Sequence, residues 1–156
     1  MNSMIFPGVL VLVFTMILQA NWASSYEGDI FTSKEIKKLE KERDINDRIK
    51  IYTNASKRIR ERLDKAASRK QFQSVPGDLE LWTALLANSL EDINNHIDPQ
   101  KKSRNLIKFE IEVRKTLDDL QDYRIKAPID QQDAFDACLS QAESIRKKFV
   151  EIIFSR

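Results

Sequence analysis

The side chains best suited to chemistry are few in this 156-residue chain, and their spacing does not combine them. His96 is the only histidine and Cys138 the only cysteine. A di-iron bundle site needs two Glu-x-x-His pairs, and covalent haem needs C-x-x-C-H; neither is present. Haem held by His96 alone lacks a second ligand, because Met1, Met4 and Met16 all lie in the amino-terminal stretch. His96 reads instead as a cation in the last turn of a helix, with Asp92 one turn earlier. Cys138 sits on an apolar stripe between Phe135 and Ala142, so it reads as a core thiol rather than a nucleophile paired with His96. Glu110 with Glu112, and Asp118 with Asp119, are one or two positions apart and point in different directions on a helix. They read as solvated-face charges, as do the four-apart pairs Glu110 with Arg114 and Asp118 with Asp122. No G-x-S-x-G, H-E-x-x-H or phosphate-binding glycine loop occurs. Asn54-Ala55-Ser56 matches a glycosylation sequon by accident, inside a predicted helix. No catalytic, cofactor-binding or metal-ligating residue is assigned, and no cofactor is expected.

Two surfaces remain. Arg58, Arg62, Lys65 and Arg69 lie along one side of a predicted helix, and Lys101, Lys102 and Arg104 open another, where positive charge opposes the local dipole. Together they are the candidate surface for an anionic partner. The carboxyl-terminal run from Phe149 to Phe154 is apolar on more than one face. Val150, Ile153 and Phe154 are the candidate self-association surface, to be covered by a second subunit or by the short first helix.

These surfaces must be positioned by something, and the amino terminus says where. Ile5 to Leu18 is nearly continuous hydrocarbon, followed by Ala20 and Ala23-Ser24-Ser25. At about 14 residues the run is short of the roughly 20 needed to span a bilayer. It reads as a signal peptide over residues 1–25, cleaved after Ala23 or Ser25, with an uncleaved signal anchor as the alternative. All 26 basic and 24 acidic side chains follow Tyr26, and the net charge is only +2. That balance gives no bulk electrostatic case for nucleic acid, and membrane contact is not indicated. Export with no possible internal disulfide fits a bacterial periplasm or the extracellular space.

Residues 26–156 read as one all-α domain with no strand pattern. Thr32 and Glu35 form a capping box, with Phe31 and Ile36 placed as a hydrophobic staple. The apolar phase set by Ile36 and Leu39 breaks and resumes at Ile45, Ile49, Tyr52, Ala55 or Ser56, Ile59, Leu63 and Ala66. A shift of about two residues is about 200° of rotation, which predicts helices over about 33–43 and 45–71 with Asp44 as the second cap. One continuous helix is the alternative. Pro76-Gly77 reads as a connection. Helices follow over about 78–97 (Leu79, Trp82, Leu86, Leu90, Ile93, Ile97), 99–126 (Leu106, Phe109, Val113, Leu117, Leu120, Tyr123) and 129–154 (Phe135, Cys138, Ala142, Ile145, Phe149, Ile152). Asp98 is the expected cap of the 99–126 helix, with Pro99 at its first position. Four long amphipathic helices with short links predict an antiparallel up-down-up-down four-helix bundle, with the short first helix across one end.

Glu27-Gly28-Asp29-Ile30-Phe31-Thr32-Ser33-Lys34-Glu35-Ile36, followed by Arg43-Asp44-Ile45-Asn46-Asp47-Arg48-Ile49-Lys50-Ile51-Tyr52, resembles a family of small exported bacterial helical proteins. Those sequences carry proline where this chain has Ile45. The resemblance implies an exported address and a turn at Asp44, and no activity. The expected function is a non-enzymatic protein–protein interaction or structural module of the cell envelope, with an unknown protein or a second copy as partner. The alternative is a bundle that carries a lipid or other apolar ligand between its helices.

Overall fold

Each apolar stripe folds into the helix its period predicts. A computed structural model of the chain describes residues 29–98 and 101–155, all of whose regular structure is helical. The leader and its cleavage site lie outside the described residues. The elements are α1 (Ser33–Lys41), α2 (Ile45–Ser68), a 3-10 turn (Phe72–Ser74), α3 (Val75–His96), α4 (Arg104–Lys126) and α5 (Ile129–Phe154). No described helix is long and apolar enough to cross a membrane.

The α1–α2 break falls at Asp44, where the shifted phase placed it. Asp44 caps α2 by accepting the Asn46 N–H at 2.7 Å. Thr32 and Glu35 form the expected reciprocal capping box. Helix α2 ends at Ser68 rather than 71. Lys70 there adopts φ 56°, while its N–H donates to Ala67 O and the Gln71 N–H to Ala66 O. This pair of bonds is a Schellman stop, with lysine in the left-handed position that glycine usually fills.

Two helix starts differ from the sequence reading. Helix α3 begins at Val75, not at a cap on Asp78, because Pro76 falls in the first turn, where its missing N–H loses no helical bond. Phe72 and Val75 are buried and anchor that turn against the core. Helix α4 begins at Arg104, not 99. Ser103 is its cap and accepts the Leu106 N–H at 3.1 Å. The same hydroxyl donates to Asn46 Oδ1 at 2.6 Å, which ties the start of α4 to the start of α2. Lys101 and Lys102 are thereby left outside the helix, in the two positions before its cap, beside the positive end of its dipole.

The four long helices alternate in direction along the chain, as predicted. Side-chain pairs give the register. Arg48 meets Asp92 and Arg62 meets Asp78, so α2 and α3 are antiparallel. Arg146 meets Glu110 and Arg124 meets Asp136, so α4 and α5 are antiparallel. Asn46 meets Ser103 while Asp64 meets Tyr123, so α2 and α4 run parallel. The molecule is therefore two helical hairpins laid face to face, α2 on α4 and α3 on α5, with α3 and α4 across the diagonal. A link from 97 to 103 can extend about 20 Å, enough for that crossing.

Trp82, Phe109, Phe135 and Phe149 fill the axis, all under 2 % exposed. Phe109 and Phe149 pack with ring centroids 5.3 Å apart. The Trp82 indole N–H donates to Ser56 Oγ at 2.9 Å, so the largest core side chain leaves no polar atom unpaired.

Helix α1 does not cross an end of the bundle. It turns back along the lower half of α2, with Glu35 beside Arg58 and Leu39 beside Arg48. Its apolar side, with Phe31, Ile36 and Leu39, faces a groove shared with Tyr52 and with Asn88 and Asp92 of α3. Two arginines on α2, Arg48 and Arg58, hold groups on α1 in this position.

Lys70→Gly should raise stability by about 1 kcal/mol, by removing the Cβ penalty of the left-handed conformation. Urea unfolding monitored by circular dichroism measures it.

Candidate functional site

The densest polar geometry lies where α1, α2 and α3 meet. Arg48 Nη1 donates to Leu39 O at 2.6 Å and to Glu42 O at 3.2 Å, and its Nε donates to Asp92 Oδ2 at 2.7 Å. The Tyr52 hydroxyl donates to the same Asp92 oxygen at 2.5 Å. Burial first, then that bond to Asp92, pushes the Tyr52 phenol well above its ordinary value. Nearly two turns beyond Tyr52, Arg58 grips both Glu35 oxygens at 2.8 and 2.7 Å and donates to Ile30 O at 3.1 Å. Burial alone would raise the Glu35 carboxyl, but hydrogen bonds from Arg58 and Thr32 outweigh it and hold the pKa below its ordinary value. The groove these groups border has a volume of about 520 Å³.

The carboxylates read as solvated are divided by the fold. Glu110 and Glu112 are buried, and each meets an arginine from another helix. Arg146 Nη1 donates to Glu110 at 2.7 Å. Arg60 reaches Glu112 at 3.4 Å and Asp119 at 2.6 Å. Asp118 and Asp122 remain exposed. Hydrogen bonds to Glu143 and Glu110 raise the pKa of Arg146 and keep it charged. The solvated-face reading fails for Glu110 and Glu112 because their partners are 36 and 52 positions away. Nothing in the local spacing of Arg48, Arg60 and Arg146 marks their carboxylate partners, for the same reason.

The predicted site residues do not assemble into one place. Arg58 is bonded to Glu35, and Arg62 pairs with Asp78 at 2.7 Å. Lys65 and Arg69 are exposed near the end of α2. Lys101, which pairs with Asp98 at 3.5 Å, lies with Lys102 and Arg104 at the start of α4. That start is tied to Asn46, some 23 residues or about 35 Å along α2 from Arg69. The two basic clusters therefore occupy opposite ends of the bundle. Val150 and Ile153 are half-buried on α5, and Phe154 is 73 % exposed. Helix α1 does not cover them, since it packs against α2.

His96 is exposed in the last turn of α3, with Nδ1 2.9 Å from Asp92 O and 3.2 Å from Asp92 Oδ1. Cys138 is buried beneath a groove between α3 and α5, of about 630 Å³, bordered by Ala84, Ala87, Ala134 and Ala137. The repeated three-residue spacing of those alanines was the sequence signal for that groove. Burial pushes the Cys138 thiol up to about 11, against a small lowering by Thr83, whose Oγ1 lies 3.5 Å away. Among the described residues no three His, Cys, Asp or Glu side chains are grouped to hold a metal ion. What the geometry offers is a set of surfaces held by arginine bridges, with apolar side chains left outside.

Two outcomes follow from these environments. Cys138 should resist a maleimide at pH 8 in the folded protein and react fully in denaturant, by mass spectrometry. The Glu35 pKa is lowered in the folded state, so its share of α1 docking is complete above the ordinary carboxylate value of about 4.3. That share is lost as pH falls through the lower folded value. NMR shifts of α1 should therefore move below about pH 4, and Arg58→Gln should raise that midpoint.

No protein-family model, no curated protein and no solved structure matches this chain.

Proposed function

We propose that the chain is an exported, non-enzymatic interaction or structural module of the bacterial cell envelope that works through protein contact, self-association included. The observation that carries this reading is where the large apolar side chains lie. Trp82, Phe109, Phe135 and Phe149 fill the axis, and Ile125, Ile129 and Phe154 remain 73–86 % exposed. Val150, Ile153 and Phe154 share one face of α5 at spacings of three and four, so they form a short continuous apolar edge. Such an edge gains free energy from being covered, at about 25 cal/mol per Å² of apolar surface removed from water. The same filled axis weighs against an apolar ligand carried between the helices, because aromatic rings already occupy that space. The leader composition and the resemblance over Glu27 to Tyr52 support the exported address.

The purified protein should elute as a dimer in light-scattering chromatography at tens of micromolar, and Phe154→Asp should shift it toward monomer. A wild-type protein that stays monomeric up to hundreds of micromolar removes self-association from this reading.

A further inference from the structure

Helices α4 and α5 each carry a second row of side chains, about 120° around the helix from the stripe that fills the axis. On α4 the row is Ile107, Ile111, Arg114, Asp118 and Ile125. On α5 it is Ile129, Asp136, Lys147, Val150 and Phe154. Each interval is a whole number of turns, to within a fraction of a residue. Both rows lie on the side of their helix where Arg146 meets Glu110 and Arg124 meets Asp136, so they form the outer face of the α4–α5 hairpin.

The apolar side chains left outside the core gather on this face. Ile125, Ile129 and Phe154, the exposed large apolar side chains among the described residues, all fall on it. Ile107, Ile111 and Val150 are half-buried there. Helices α2 and α3 pack on the other side of the hairpin, which leaves the face open. Two helices of this length, side by side, present about 35 Å by about 20 Å. Covering that removes about 700 Å² from water on each copy, close to the roughly 800 Å² per partner of a stable association.

We propose that a second copy of the chain docks on this face, about a two-fold axis that crosses the helices at right angles, level with Thr116. The proposal rests on the self-association reading above and names its surface, of which the α5 edge is one end. Such an axis lays α4 antiparallel on α4 of the second copy. Ile107 then faces Ile125 of the second copy, and Arg114 faces Asp118 of the second copy, each pair occurring twice. Helix α5 supplies an independent check. The pairs Arg146 with Glu110 and Arg124 with Asp136 put Thr116 level with Ala142. Ile129 and Phe154 lie equally far on either side of that level, and so do Asp136 and Lys147. The same axis therefore brings Ile129 to Phe154 and Asp136 to Lys147. One operation matches apolar with apolar and opposite charges with each other on both helices. An axis running along the helices sets Ile111 against Lys147 instead. Arg114 and Asp118 are exposed and make no ion pair among the described residues, so docking breaks none.

Charge reversals at these two exposed positions test the axis and leave the core intact. Arg114→Glu sets two acidic side chains together at both contacts, and Asp118→Arg sets two arginines together. Each alone should weaken dimerisation about tenfold or more in sedimentation equilibrium. The two variants mixed should form a heterodimer about as tight as the wild-type dimer, because both pairs are then restored. The chain carrying both reversals should also dimerise as wild type. Ile125→Asp, about 30 Å along the hairpin from Phe154, should dissociate the dimer as Phe154→Asp does. Thermal melts by circular dichroism should match wild type for every variant. If the single reversals weaken the dimer and the mixture stays monomeric, the axis is wrong and the inference falls. If Phe154→Asp dissociates the dimer while Arg114→Glu, Asp118→Arg and Ile125→Asp leave it intact, the inference falls and the function proposed above survives. A wild type that never associates removes both.

Discussion

Four apolar stripes have to meet on one axis, and that axis is filled by Trp82, Phe109, Phe135 and Phe149. Side chains of that volume leave little freedom for sliding, because interiors pack as densely as organic crystals. The stripes therefore set how each helix is rotated and which positions fall at the flanks. Glu110, Glu112, Arg60 and Arg146 stand where they do because the axis put them there. Their pairing then compensates for removing charge from water, which on its own would be costly.

Arginine joins most of the elements beyond the core. Arg48 links α1 and α3 through α2, Arg58 links α1 to α2, Arg60 links α2 to α4, and Arg146 links α4 to α5. A planar guanidinium with five donors suits such junctions, since it can serve a carboxylate and a backbone carbonyl at once. Arg48 serves both kinds. Lysine at that position would present a single point of charge and leave carbonyls at the end of α1 without their donor.

The sequence disclosed what periodicity carries. The stripes on α2, α3, α4 and α5 were legible because each repeats at three and four, and the α1–α2 break was legible because Ile36 and Ile45 disagree in phase. Pro76-Gly77 misled because the pair commonly marks a turn, yet proline is also tolerated in a first helical turn. The α4 start was hidden because Ser103 depends on Asn46, far away in sequence. The side docking of α1, the diagonal placement of α3 and α4, and the burial of Glu110 and Glu112 all rest on partners tens of residues apart. Local spacing holds no record of such partners. Of the candidate surfaces, the α5 edge was legible as surplus hydrocarbon, whereas the two basic clusters looked like one surface only until α2 separated them by its own length.

The diagonal crossing between α3 and α4 bears on how the chain assembles. Each hairpin closes through contacts between consecutive helices, so α2–α3 and α4–α5 can each collapse early and independently. Their union then depends on pairs such as Arg60 with Asp119, 59 positions apart. Distant contacts of that kind make this union slower than the closing of either hairpin. The same arrangement makes the 97–103 segment a natural place to sever the polypeptide: two fragments, each a complete hairpin, would carry complementary faces and could reconstitute the whole without a covalent connection.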